Sequence, residues 1–135
     1  MSSKPFALSV KAIALNAAGR CLLLKRPLDS RLNPGKWEFP GGKAKLGEKF
    51  DEALLRETWE ETGLNISLQR VAGAAEFELP EFRLAYIILE GLLEAGEVRL
   101  SDEHTDFAWV PVRQLLSMDL AEQFVAVARS YVVER

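Results

Sequence analysis

Residues 42–64, Gly42 to Leu64, read GKAKLGEKFDEALLRETWEETGL, and the fold turns on what this stretch forms. At about 100° per residue, Phe50, Leu54, Leu55, Thr58 and Trp59 share one broad face. The spacing predicts a helix over Phe50–Thr62 that packs by that face. Asp51 and Glu52 suit the positive end of its dipole. Gly63 is a natural terminator, whereas Lys49 is a poor N-terminal cap. Glu57, Glu60 and Glu61 fall in a sector of roughly 100° along the border of the apolar face, which places them at the rim of the packed interior.

A solvated acidic face accounts for most charged helix positions, and it accounts for Glu52, which has Arg56 four residues later. It fails for the other three. Glu57 meets Glu60 and Glu61 as like-charge neighbours, at roughly 0.2–0.5 kcal/mol per pair. Glu60 and Glu61 also lie at the negative end of the helix dipole, at roughly 0.3–1 kcal/mol each. The arrangement therefore costs about 1–3 kcal/mol, a sizeable share of a small domain's stability. A divalent cation among the three carboxylates reverses the sign of that cost. Mg2+ suits such a site, because it takes carboxylate oxygens and completes its shell with water and phosphate. Zinc is disfavoured, since His104 is the single histidine and Cys21 the single cysteine. The same scarcity disfavours a nucleophile–histidine triad.

The remaining chain reads as strands around this helix. Phe6–Leu15 and Cys21–Leu24 are predicted strands joined by the turn Asn16-Ala17-Ala18-Gly19-Arg20 as a hairpin. Arg26–Lys36 is a loop, and Trp37-Glu38-Phe39 is a short extended piece closed by Pro40-Gly41-Gly42. Ile66–Leu79, Arg83–Leu93 and Thr105–Val110 read as further strands, and Pro111–Met118 as a helical turn. Leu120, Phe124, Val127, Ala128 and Tyr131 recur at helical spacing and predict a closing amphipathic helix. Strands on either side of a central helix, with a second helix last, imply an α/β fold with a mixed sheet covered on both faces.

The length of 135 residues suits a single domain over 1–135, and 48% hydrophobic residues suffice for one core. A net charge of −3 argues against stable nucleic-acid binding through phosphates. Met1 to Phe6 has no apolar leader, and no apolar run is long enough to span a bilayer. A cytoplasmic protein without a membrane partner is expected. Cys21 sits in an apolar strand and reads as a small core residue.

The same residues resemble the Nudix box, G-x5-E-x7-R-E-U-x-E-E-x-G-U, where U is apolar. Gly42, Glu48, Arg56, Glu57, Glu60, Glu61, Gly63 and Leu64 fall in register, and only Thr58 departs, at the first U position. WEFPGGK (Trp37 to Lys43) and LLLKRP (Leu22 to Pro27) resemble the MutT-like branch, and SDEHTDFAWVP resembles a segment that supplies a further carboxylate. The resemblance implies a Nudix-type α/β/α sandwich with a loop–helix–loop metal site. It implies Glu57, Glu60 and Glu61 as ligands of Mg2+, with Mn2+ as a substitute. It implies that Glu48 and Arg56 brace the loop against the helix, and that Gly41, Gly42 and Gly63 serve the box structurally.

The implied reaction is attack of water on a P–O–P bond of a nucleoside (deoxy)triphosphate or related nucleoside diphosphate derivative, releasing the nucleoside monophosphate. Glu57 is the first choice to orient or deprotonate the water, and Glu103 the second; an exposed loop acid is an equal reading of Glu103. Arg26, Arg31 and Lys43 are candidate phosphate contacts, although loop cations are commonly just solvated. Trp37 or Phe39 could stack on a base, with core packing the preferred role for Phe39, and His104 reads as a local hydrogen-bonding residue rather than a ligand. No asparagine follows Asn65, which weakens an oxidised-purine assignment. Nucleotide sugars, dinucleoside polyphosphates or 5′-triphosphate RNA ends are alternative substrates. A nucleotide-sensing module that does not hydrolyse is the alternative of another class. A small-molecule nucleotide partner and a homodimer complete the expectations.

Overall fold

The computed structural model describes residues 4–134; residues 1–3 and 135, which the expected single domain and the reading of Met1 to Phe6 include in part, lie outside the described residues. Seven strands and two α-helices follow in the order β1 (Phe6–Leu15), β2 (Arg20–Lys25), β3 (Trp37–Glu38), β4 (Gly41–Lys43), α1 (Phe50–Thr62), β5 (Ile66–Glu78), β6 (Arg83–Leu93), β7 (Asp106–Pro111) and α2 (Val125–Glu134). Tight 3-10 turns at Val112–Ser117 and Glu122–Phe124 precede α2. No described helix is long and apolar enough to cross a membrane.

The sheet is mixed. β1 runs parallel to β6 from Phe6↔Arg83 to Leu15↔Leu92, and β5 pairs antiparallel with the outer edge of β6. On the other edge of β1, β4 occupies one half and β2 the other. Alternation along the strands supplies both faces. Val10, Ala12 and Ala14 of β1, with Leu22 and Leu24 of β2, pack against Ala53 and Leu54 of α1. Ile13, Leu15, Cys21 and Leu23 face the other way, toward Phe124, Val127, Ala128 and Tyr131. Phe124 stands edge-on to Phe39 at 5.6 Å and to Tyr86 at 5.0 Å. This is an α/β/α sandwich. Cys21 is a core residue, and burial pushes its thiol up to about 12.

Four local expectations are corrected. The β1–β2 hairpin pairs only at Leu15↔Cys21, because β2 leaves β1 to pair with β7 and β3. Pro40-Gly41-Gly42 is not merely a turn: Gly41–Lys43 is a strand, which glycine content hides from any propensity argument. The buried face of α1 is Ala53, Leu54, Thr58, Glu61 and Thr62, whereas Phe50, Leu55 and Trp59 are exposed, Trp59 by 57%. The helix is thus rotated about its axis so that Glu61 enters the interior rather than its rim. Finally, Arg56 bonds to Glu48, Glu57 and Glu60 and not to Glu52, whose carboxylate instead accepts from the Lys49 N–H at 3.3 Å. That bond completes half of a capping box and serves the poor cap position.

Gly41 permits the close approach of β4 to β1. Its φ is +132°, and a Cβ there would stand 2.0 Å from the Val10 carbonyl oxygen. Gly41→Ala should lower the unfolding free energy by roughly 3 kcal/mol, from backbone strain plus overpacking. Denaturant melting checks this, and a loss within error would show that β4 need not lie so close.

Candidate functional site

β4 and α1 together build an acidic wall. The Gly41 N–H donates to Glu61 Oε1 at 2.9 Å, and Glu61 is 3% exposed. A Cβ at Gly42 would come 2.7 Å from Glu57 Oε2, so the missing side chain is the space Glu57 uses. Arg56 joins the preceding loop to the helix. Its Nε and Nη2 donate to the two oxygens of Glu48 at 2.8 and 3.0 Å, its Nη2 to the Lys43 carbonyl at 3.3 Å, and its Nη1 to Glu57 and Glu60 at 3.0 Å each. These bonds hold the Glu48 carboxyl down at about 2. One guanidinium therefore relieves the repulsion between Glu57 and Glu60 and sets the loop at the same time.

The acidic wall lines a cleft of about 380 Å³. Glu57, Glu61, Glu103 and Gly42 line it, and so do Arg26 and Lys43. Glu60 does not; its side chain is half exposed, and its carboxylate accepts from Arg56. Trp37 also lies outside the cleft, with Lys25 Nζ 5.7 Å from its ring centre. Phe39 is in the core, and Arg31 pairs with Glu81. Glu103 and His104 arrive from the loop before β7, and one ligand atom from each of Glu61, Glu103 and His104 lies within 4.8 Å of the other two.

The floor of the cleft is a buried charge network that sequence reasoning missed. Lys11 Nζ donates to the Gly41 carbonyl at 2.9 Å and lies 3.4 Å from Glu38 Oε1. Arg26 Nη1 and His104 Nε2 both meet Glu38 Oε2, at 3.0 and 2.8 Å. The signal was present: Lys11 is a lone charge within the apolar run FALSVKAIAL, on the same strand face as Ile13. The same holds for Glu38 between Trp37 and Phe39.

Burial raises the Glu38 carboxyl, but Lys11, the His104 bond and Arg26 override it and hold it down at about 2. Burial likewise lowers the Lys11 ammonium, and Glu38 followed by Glu61 reverses this to a net rise. Across the cleft the balance is opposite. Burial lifts Glu61 well above the usual carboxylate range, against Lys11 and the Gly41 bond, with Glu38 and Glu57 adding to the rise. Burial also raises Glu57, against its Arg56 bond, with help from Glu103 and Glu60. Glu61 makes no ion pair within 4 Å among the described residues, and its carboxylate accepts from the Gly41 N–H. A hard divalent cation fits this set: carboxylate oxygens only partly neutralised, around space a Cβ would fill.

Two predictions follow from these opposed shifts. Glu38, depressed from 4.5 to about 2, contributes stability above the higher value that is lost as pH falls toward the lower. Glu38→Gln should therefore cost on the order of 3 kcal/mol at neutral pH, by stranding Lys11, and should flatten the acid limb of a melting-temperature profile. An unchanged limb would contradict the network. Glu61 is the reverse case: its raised carboxyl contributes stability at low pH that disappears as pH rises through its folded value. In chelator, Glu61→Gln should match or exceed wild-type stability at mildly alkaline pH and lose that advantage in acid. Calorimetry in both buffers decides, and a less stable variant in alkali would show that the buried charge carries no cost.

A family model described as NUDIX domain matches residues 5–132. The chain is 32% identical over 113 residues to the nucleoside triphosphatase NudI of Escherichia coli O139:H28 (strain E24377A / ETEC), covering 76% of this chain and 80% of that protein. A crystal structure of MutT protein from Methanosarcina mazei Go1 superposes with a TM-score of 0.90 at 37% identity, over 99% of this chain and 98% of that one. A C. elegans Ap4A hydrolase shares the fold, with a TM-score of 0.78 at 19% identity over 95% and 96% of the two chains.

Proposed function

The chain belongs to the NUDIX family as a MutT-like hydrolase, and on that premise we propose that it is a Mg2+-dependent pyrophosphohydrolase of nucleoside (deoxy)triphosphates, giving the monophosphate and pyrophosphate. The observation that carries this reading is one cleft lined by both signs of charge: Glu57, Glu61 and Glu103 together with Lys11, Arg26 and Lys43. The resemblance to NudI, a nucleoside triphosphatase, supports the substrate class.

Glu57 and Glu61 would hold the cation from inside the cleft, and Glu60 would join them from the exposed edge of α1. The bound cation supplies positive charge to the phosphate oxygens and acidifies water. Every other step falls to side chains. Lys43 stands at the mouth, its Nζ 4.4 Å from the Phe82 ring centre, and takes a phosphate oxygen as a point charge. Arg26 is turned inward by its bonds to Glu38 and Ser30, so its contribution is a fixed positive potential at the floor. Glu57 receives the proton of the attacking water in the leading assignment, with Glu103 second. The raised Glu57 carboxyl is consistent with proton acceptance near neutral pH. Arg56 and Glu48 keep the loop and helix in one geometry while charge builds on phosphate.

The test is a substrate screen with Mg2+ and products identified by mass, including nucleoside triphosphates, nucleotide sugars, dinucleoside polyphosphates and 5′-triphosphate RNA. Nucleoside triphosphates should turn over fastest and release pyrophosphate. Glu57→Gln and Glu61→Gln should each lower kcat by at least about a hundredfold, as loss of one charge-stabilising group does. Preferred cleavage of another anhydride would replace the substrate assignment, and turnover without any divalent ion would remove the mechanism.

A further inference from the structure

The histidine behind the lining of this cleft, next in sequence to Glu103, is only half used. The side chain of His104 is completely buried, and its Nε2 lies 2.8 Å from Glu38 Oε2. An ionised carboxylate only accepts, so the proton in that bond belongs to Nε2. Lys11 and Arg26 on the same carboxylate keep it charged. In a ring so bonded, the lone pair of the neutral form falls on Nδ1, and Nδ1 has no hydrogen-bond partner among the described residues. A buried polar atom in that state calls for a partner. The carboxylates of Glu61 and Glu103 share a 4.8 Å cluster with a His104 ring nitrogen, and in the ionised form that would hold a cation they accept rather than donate, so they leave a ring lone pair without a partner.

We infer that His104 Nδ1 is a metal-ligating atom, joining Glu61 and Glu103 in a mixed nitrogen–oxygen position that favours first-row transition ions from Fe2+ to Zn2+ over Mg2+. The inference rests on the proposed divalent-ion site in sharing Glu61 with it. A ring whose far N–H is pinned on a carboxylate is the common arrangement of a ligating histidine, because the bond sets both tautomer and orientation. Imidazole suits Fe, Ni, Cu and Zn, whereas Mg2+ prefers oxygen throughout. Donors around such an ion stand closer than this cluster does, about 3 Å apart for bonds of about 2.1 Å. Glu103, exposed on its loop, has the freedom to close that gap. Glu38 is a positioning residue here, acting through His104.

Since the chain has one histidine, labelling histidine with a spin-active nitrogen isotope gives one pair of ring signals in tag-free protein. The protein is titrated separately with Zn2+ and Mg2+, with calorimetry reporting uptake of each. Zn2+ should move the Nδ1 signal strongly and leave Nε2 protonated, while Mg2+ leaves both in place. Calorimetry on His104→Gln should show Co2+ affinity reduced by at least about tenfold with Mg2+ affinity unchanged. Unmoved Nδ1 at saturating Zn2+, or Nδ1 already protonated in the metal-free protein at mildly alkaline pH, overturns the assignment. If Mg2+ still binds in that case, the hydrolase site stands and only the role of His104 falls; if neither ion binds, both fall.

Discussion

The bond from the Gly41 N–H to Glu61 ties the second half of the molecule to the first. It joins α1 to β4, and β4 lies on β1 only because residue 41 has no side chain to strike the Val10 carbonyl. The same contact rotates α1 about its axis, so that a carboxylate occupies a position where an apolar residue would otherwise pack. The helix then presents Glu61 to the interior, Glu57 to the cleft and Glu60 to its edge. One backbone donor thus grades three chemically identical side chains by depth. Depth sets their electrostatics, since burial is the dominant influence on both Glu61 and Glu57.

Beneath this contact, the Glu38 network balances the acidic wall. Lys11 bonds the carbonyl of the same Gly41 whose N–H holds Glu61, so one peptide segment links the buried cation to the buried carboxylate. Glu38 collects Lys11, Arg26 and His104 on two oxygens. Satisfied in this way, a buried charge becomes rigid and keeps cationic potential at the floor without leaving it free to collapse onto Glu57 or Glu61. The site is therefore a pair of opposed, separately neutralised charge layers. Its anionic layer is the less completely neutralised, which is why the proposed cation is assigned to it.

Much of this was legible in residue order. Glu57, Glu60 and Glu61 stood out because they break helix rules together, and the box around them identified Arg56 and Glu48, which meet in a two-pronged pair. What escaped notice has physical reasons. β4 is glycine-rich, and strand signals rest on side chains that glycine lacks. The packing face of α1 was misjudged because Phe50, Leu55 and Trp59 are apolar yet exposed, and hydrophobicity alone cannot say which side meets the sheet. Trp37 lies outside the cleft although its neighbour Glu38 lines it, since successive residues of a strand face opposite ways.

By itself, the amino-acid order determined the class of fold, the helix and its limits, the acidic cluster and the family. Those properties depend on local spacing and on residue types, which are present in the chain before it folds. Only the tertiary structure decided which carboxylate is buried, that Lys11, Arg26 and His104 converge on Glu38, and that His104, its Nδ1 without a hydrogen-bond partner among the described residues, shares a cluster with Glu61 and Glu103. Those properties depend on groups 12 to 66 or more residues apart meeting in a medium that excludes water, where depth rather than sequence position fixes the energy of a charge.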